Sequence, residues 1–120
     1  MIEADHIDAS SAPVTSSAVV GVELDGERVL YHEELHTVHL LNPTATIIWN
    51  CLDGSTVLMG LSVELADAFS ADIDVVRSDV VEAVRDLGRQ GLLEGVAADP
   101  ELVSANQLVP ATPSEPPDDR

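Results

Sequence analysis

The stretch VHLLNPTATIIWNCLDGST, residues 38–56, contains the change from strand to helix on which the fold depends. It opens as an extended apolar segment and switches at Asn42-Pro43. Asn is a common helix cap, and Pro at the first helical position gives up no hydrogen bond. The apolar residues that follow have the i, i+3, i+4, i+7 spacing of one helical stripe: Ala45, Ile48, Trp49 and Leu52. We predict that Gly54 ends this first helix in a left-handed conformation.

Two further extended segments precede this stretch. Residues 18–24 and 28–32 are rich in β-branched and aromatic side chains, and Asp25-Gly26 between them is a hairpin signal because Gly accepts the positive φ of a tight turn. A second turn over 33–35 leads into a third strand over 36–41. The pattern therefore predicts three consecutive antiparallel strands.

Two more helices are predicted downstream. The second begins near Ser55 or Thr56, with an apolar face formed by Val57, Leu58, Leu61, Leu65 and Phe69. The third covers about 75–90, is capped by Asp72 or Asp74, and is closed by Gly91. The fold class expected from this order is α+β, a three-stranded antiparallel sheet followed by three helices. That layout is also the layout of a winged helix-turn-helix domain.

Composition divides the chain into a folded centre and two tails. Residues 1–16 are rich in Ser, Ala and Asp without periodicity, and residues 98–120 hold five of the seven prolines. Both are predicted to be disordered tails, which leaves 17–97 as the folded domain.

The charge excludes several classes of function. The formal net charge is −17, there is no lysine, and the 14 acidic residues and four arginines within 17–97 leave that part at −10. The electrostatic field of such a negative charge repels nucleic acid and anionic membranes. No run approaches the roughly 20 apolar residues of a membrane span, and the acidic N-terminus does not resemble a signal peptide. A cytoplasmic location is the expectation.

Catalytic and metal-binding groups are scarce. His36 and His39 are three apart in a predicted strand and point to opposite faces, so with His32 they make at most a surface pair rather than a metal site. Cys51, the single cysteine, is expected to be a small buried hydrophobic residue. Gly-rich phosphate loops and serine elbows are absent from the sequence. We therefore expect a protein that is not an enzyme, with no cofactor and no metal.

The third predicted helix has three distinct arcs. At 100° per residue, its core face holds Val76, Val80, Ala83, Val84 and Leu87, a second arc holds Asp79, Glu82 and Asp86, and a third holds Arg77, Val81, Arg85 and Arg89. The arginine arc is either a solvated face or the wall of a groove for an acidic, partly apolar ligand. A DNA recognition helix is disfavoured, because three arginines in a domain of net charge −10 do not form a basic surface that could contact phosphates.

The order of several short motifs resembles the PqqD family of peptide chaperones. These motifs are Leu41-Asn42-Pro43, Ile48-Trp49, Asp53-Gly54, Leu65-Ala66, Asp79-Val80 and Gly91-Leu92-Leu93, within a match over about 18–95. The resemblance implies the fold of the recognition element for precursors of ribosomally made, modified peptides. It also implies a precursor (leader) peptide as one partner and a modifying enzyme, often a radical SAM enzyme, as another.

Family members bind the leader as an added strand between the third strand and the third helix. Carried to this chain, the resemblance places the edge at His36, Thr37, Val38, His39, Leu40 and Leu41, and the groove wall at Val76, Arg77, Val81 and Arg85. The alternative is a winged-helix regulator or a protein-interaction adaptor without a peptide substrate.

Overall fold

The computed structural model describes residues 1–25 and 27–107. Five strands are present there: β1 (Ile2–Glu3), β2 (Val19–Leu24), β3 (Glu27–His32), β4 (Thr37–Leu41) and β5 (Val96–Ala97). Four α-helices accompany them: α1 (Pro43–Asn50), α2 (Leu58–Phe69), α3 (Ile73–Arg89) and α4 (Pro100–Asn106).

The three central strands form one antiparallel sheet in the order β2-β3-β4, followed by α1, α2 and α3. This confirms the predicted fold class. Leu24 pairs with Glu27, so the first turn has only two residues, and Asp25 within it has φ +52°. Gly26, the other residue of the predicted hairpin signal, lies outside the described residues. β4 leads directly into α1, which places the start of that helix beside the edge of the sheet.

Local signals set the beginnings of α1 and α3. The Asn42 side chain accepts a hydrogen bond from the backbone N–H of Ala45 at 2.8 Å, and the Asp72 side chain accepts one from Asp74 at 2.8 Å. Both predicted caps are confirmed. The prediction for Gly54 is wrong, because α1 ends at Asn50 and Gly54 has its positive φ of +84° in the turn that follows.

The core lies between the inner face of the sheet and the three helices. Its buried members include Leu30 and Leu41 of the sheet, Ile48 of α1, Leu58, Leu61 and Leu65 of α2, and Val80, Val84 and Leu87 of α3. Trp49 is only partly buried and packs against this cluster from its margin. Aliphatic side chains therefore form the centre of the core, as the low aromatic content requires.

The N-terminal segment, residues 1–16, differs from the expected disordered tail. β1 pairs with β5 in a short parallel sheet, and Ile7 is only 1% exposed. The absence of a side chain at Gly88 makes room for this segment on α3, because a Cβ there would lie 2.8 Å from Cγ1 of Val96 and 3.5 Å from Cδ1 of Ile7. The segment lacks periodicity because single residues, rather than a helical or strand face, make its contacts.

The same segment also satisfies the start of α2. The N–H groups of Leu58 and Met59 donate to the carbonyls of Ser11 (2.9 Å) and Ala9 (2.8 Å), and the helix has no side-chain cap. The prediction of a cap at Ser55 or Thr56 is therefore wrong. The backbone N–H groups of those two residues instead donate to Asp53. Backbone carbonyls far away in the sequence take the place of a local side-chain cap, so the residues next to the helix carry no capping signal.

The start of the predicted C-terminal tail also differs from expectation. Residues 100–106 form α4, which begins at Pro100. The Asp99 side chain caps this helix by accepting a hydrogen bond from the Glu101 N–H at 2.9 Å. The described residues end at Gln107, and the prediction of disorder over 108–120 falls outside them.

Candidate functional site

β4 is the last strand of the sheet formed within 1–25 and 27–107, and its outer edge carries backbone groups that point away from β3. Glu33 N–H donates to the carbonyl of Ala18 at 2.9 Å, which shows that odd-numbered residues of β3 bond toward β2. Bonding directions alternate along an antiparallel strand, so even-numbered β3 residues bond toward β4. The register therefore directs the backbone N–H and C=O groups of Thr37, His39 and Leu41 toward β3. The N–H and C=O of Val38 and Leu40 consequently face outward, an arrangement we call the open edge.

A chain of hydrogen bonds connects β4 to α3 beneath this edge. His39 lies 2.8 Å from Oγ1 of Thr37 through Nε2 and 2.6 Å from Oε1 of Gln90 through Nδ1. Because Oε1 is an acceptor, Nδ1–H donates to it and Nε2 accepts from the Thr37 hydroxyl. The Gln90 amide then donates to Oδ2 of Asp86 at 2.7 Å. These bonds fix the distance between the strand and the helix and orient the Asp86 carboxylate.

The imidazole of His39 is held in its neutral form. Burial lowers the pKa of His39 below its ordinary value, and nearby His32 lowers it further, while the Gln90 hydrogen bond and the Asp86 charge act in the opposite direction. A neutral ring suits the observed bonds, which need one donor and one acceptor nitrogen. The role of His39 here is to connect two elements.

A groove of 430 Å³ lies between the start of α1, the end of α2 and α3. Asn42, the residue that follows β4, lines it together with Ile48, Phe69, Val76 and Asp79. On α3, the i, i+4, i+7, i+11 spacing places Asp79, Ala83, Asp86 and Gln90 in one helical row. The first two of these residues line the groove, and the last two belong to the hydrogen bonds with His39. The groove lining is therefore largely apolar, with the Asp79 carboxylate in it and that of Asp86 further along the same row.

The arginine arc lies on another side of α3. The Arg85 Nε–H donates to the carbonyl of Ile7 at 2.8 Å, and Arg89 pairs with Asp5 at 2.9 Å. Arg77 pairs with Asp74 on its own helix at 3.0 Å. The prediction that Arg77 and Arg85 line the groove is therefore not supported by these contacts. The N-terminal segment, predicted as a tail, contacts this side of the helix at Arg85 and Arg89.

The other predicted site residues divide between exposed and buried positions. Thr37, His39 and Leu41 are buried under the sheet, whereas Val38 and Leu40 lie on its opposite face. His36 belongs to the preceding turn with φ +58°, and its Nδ1 lies 3.0 Å from the Tyr31 hydroxyl oxygen. Of the predicted helix residues, Val76 lines the groove and Val81 packs against the core.

The C-terminal segment reaches one end of the open edge. Gln107 forms an isolated antiparallel bridge with Thr37, and its side-chain amide donates to the carbonyl of Leu35 at 3.2 Å. Because Thr37 turns its own N–H and C=O toward β3, a bridge on its outer side is closed by the outward groups of its neighbours, Val38 among them. The C-terminal segment, whose helix α4 packs near β4, therefore occupies the Val38 end of the open edge and leaves Leu40 beyond it.

Comparison with known proteins identifies the family. The family described as coenzyme PQQ synthesis protein D (PqqD) matches residues 27–93, which include β3, β4, α1, α2 and α3. The chain belongs to the PqqD family. The solved structure of TbiB1 in complex with the TbiA(beta) leader peptide is similar to this PqqD-family chain, with 30% identity and a TM-score of 0.63. That similarity covers 70% of this chain and 98% of TbiB1. No curated protein matches significantly.

The sequence predicts His39 only as an edge residue, and it assigns neither Asp86 nor Gln90 to the site. These residues are brought together across a separation of about 50 positions, which no local periodicity reveals. A spacing signal was nevertheless available, because Asp79, Ala83, Asp86 and Gln90 share one helical row. Within 1–25 and 27–107, the structure has no cluster of three or more His, Cys, Asp or Glu residues suited to a metal ion. No helix in that part of the chain is long and apolar enough to cross a membrane.

Proposed function

We propose that this PqqD-family chain is a non-catalytic chaperone for the leader of a ribosomally made precursor peptide. The leader adds as a strand at the open edge of β4, and the chain presents the remainder of the precursor to a modifying enzyme. One observation carries the proposal: β4 has outward N–H and C=O groups at Leu40 and leads directly into Asn42, which lines the groove beside α3. The similar chain TbiB1 was solved with a leader peptide, which supports the same use of this fold.

Main-chain pairing supplies affinity that does not depend on the leader sequence. Each backbone hydrogen bond contributes about 0.5–1.5 kcal/mol net, because it replaces a bond to water. The side chains of an added strand alternate, so one set enters the groove beneath the edge and the other set extends the opposite sheet face. Selectivity therefore comes from the groove set.

The groove lining favours a leader with basic or apolar groove-facing side chains. Asp79 lines the groove, Asp86 follows it on the same helical row, and the chain as a whole carries −17. The acidic ligand expected from the arginine arc does not suit this row, because like charges repel. Basic side chains would pair with the two carboxylates of the row, and apolar ones would fill the groove beside Phe69 and Val76.

The cytoplasm is the proposed location, and a radical SAM enzyme is one class of modifying partner. A winged-helix regulator that binds DNA has less support, because a net charge of −17 opposes contact with phosphates. The chain has no assigned catalytic step in this proposal, and the chemistry belongs to the partner.

Proline substitution at the two edges of the sheet tests the proposal. Leu40→Pro removes one outward N–H at β4, and Glu23→Pro removes one at the opposite edge, where the register also turns Glu23 outward. Synthetic peptides that span the short reading frames beside the gene are titrated by calorimetry. We expect one of them to bind, with an affinity about fivefold weaker for Leu40→Pro and unchanged for Glu23→Pro.

Circular dichroism and urea midpoints confirm that both variants fold. Equal losses from the two prolines would place the peptide elsewhere, and the absence of binding by every peptide would refute the chaperone function itself.

A further inference from the structure

The outer face of the central sheet is apolar and open to solvent. Two rows of side chains cross its three strands: Val20, Tyr31 and Val38 form one, and Val22, Val29 and Leu40 form the other. Val22, Leu24 and Leu40 are 57%, 58% and 64% exposed, so the other described elements leave this face uncovered. A half-buried sheet normally alternates apolar inward and polar outward side chains. Here apolar residues point outward from all three strands, which indicates a contact surface.

Charge argues against a second copy of the chain as the occupant of this face, because each copy would bring a net charge of −17 to the contact. Three strands about 4.8 Å apart and six residues at about 3.4 Å each give the face a footprint of roughly 290 Å². A stable interface buries about 800 Å² on each partner, so a partner that docks here must also contact the bound leader and the surroundings of the sheet.

The charges around the face indicate the chemistry of its partner. Glu27 lies on the face itself, Asp25 lies at one end, and Glu33 and Glu34 lie at the other. A partner surface with an apolar centre and a basic rim would match this arrangement, whereas another acidic surface would be repelled.

The face is continuous with the open edge. Val38 and Leu40 contribute side chains to the face, and their backbone groups form the edge to which a leader strand would add. A leader bound there would contribute a fourth strand, whose outward side chains enlarge the footprint to about 390 Å². A protein on this face would thus touch the domain and the leader together.

We propose that the outer face of the sheet is the docking surface for the enzyme that modifies the precursor, and that the bound leader completes this surface. The inference rests on the proposed leader-binding function. It assigns the enzyme and the leader groove to opposite faces of one sheet. Because the leader enlarges the contact, the enzyme binds the occupied chaperone more tightly than the empty one, and by linkage the enzyme also tightens leader binding.

A charge placed on the face tests this inference. Val22→Asp introduces a carboxylate at the centre of the face, and Val63→Asp introduces one at a similarly exposed site on α2, where Val63 is 52% exposed. Each variant replaces the wild-type chain in the producing cell, and the modified fraction of the precursor is measured by mass spectrometry. We expect Val22→Asp to lower that fraction about tenfold or more and Val63→Asp to leave it unchanged, because desolvating an unpaired carboxylate is costly.

Two further measurements distinguish the possible failures. Leader affinity, measured by calorimetry on the purified chains, should change by less than about twofold in Val22→Asp. Leu24→Glu, near the end of the strand, repeats the test with less strain on the sheet. A wild-type chain that binds no leader refutes the proposed function, whereas intact leader binding with normal precursor modification in both face variants overturns only the docking surface.

A photo-reactive residue at position 22 identifies the occupant in the producing cell. We expect crosslinks to a peptide-modifying enzyme, with a higher yield when the precursor is present. Crosslinks to a second copy of the chain, or the same enzyme captured equally from position 63, would overturn the inference.

Discussion

The two charged sides of α3 come from the same helix and the same periodicity, yet they have different neighbours. Arg85 and Arg89 contact the N-terminal segment through Ile7 and Asp5. Asp79 lines the groove, and Asp86 lies on the same helical row beside the His39–Gln90 contact. Arg85 and Arg89 therefore stabilise the fold, while Asp79 and Asp86 are the carboxylates that we propose to meet the leader. The comparison shows that charge along a helix indicates a contact, and that only the packing of neighbouring elements decides whether the contact is internal.

The largest effect is expected where the arginine side meets the N-terminal segment. Ile7→Ala removes most of a side chain that is 1% exposed, and the cost should be about 2–5 kcal/mol of unfolding free energy. Ile2→Ala, at a side chain that is 47% exposed, is the matched control and should cost under about 0.5 kcal/mol. Urea denaturation measures both, and a chain lacking 1–16 with the wild-type midpoint would contradict this prediction.

A smaller loss of stability is expected from the arginines themselves. Arg85→Gln removes the hydrogen bond to the Ile7 carbonyl and should cost about 1 kcal/mol. Arg77→Gln breaks only an exposed pair with Asp74 and should cost at most about 0.5 kcal/mol. Neither should change leader affinity in calorimetry. A clear fall in leader affinity for Arg85→Gln at unchanged stability would show that Arg85 belongs to the leader-binding site.

The acidic side should give the opposite result. Asp79→Asn and Asp86→Asn should each weaken a basic leader by about two- to fivefold, with little change in the urea midpoint, because exposed ion pairs contribute about 0.2–1 kcal/mol. Glu82→Gln alters a carboxylate of the same arc that lies off the helical row of Asp79 and Asp86, and it serves as the control. The effect should shrink as salt is raised. A loss that is equal for all three variants would show that net charge alone governs binding.

The smallest effect concerns pH and His39. Because burial lowers the pKa of His39 in the folded chain, the unfolded chain takes up this proton first as the pH falls. The contribution of His39 is therefore complete above about pH 6.5 and is lost as the pH falls through its folded pKa. Urea midpoints measured between about pH 8 and pH 5 should decline less in His39→Gln than in the wild type. Parallel curves for the two chains would refute the assignment.

Much of the fold could be read from neighbouring residues. Asn42-Pro43 and Asp72 mark helix starts through bonds to residues two or three positions away, so their signals are local. The N-terminal segment could not be read in this way, because Ile7 is buried against α3 residues near Gly88, some 80 positions along the chain. Periodicity also gave the angles between the arcs of α3 correctly. It could not say which arc faces β4, since that depends on the His39–Gln90 contact.

Because of the bridge between Thr37 and Gln107, the C-terminal segment of the chain competes with the leader for part of the β4 edge. A segment tethered to the same chain is present near its target at an effective concentration in the millimolar range, however dilute the protein. A leader that pairs only from Leu40 onward avoids this competitor, whereas a leader that also pairs at Val38 must displace it. The bridge therefore selects leaders by the length of the strand that they add, and it favours those whose strand ends where the chain's own C-terminal segment begins.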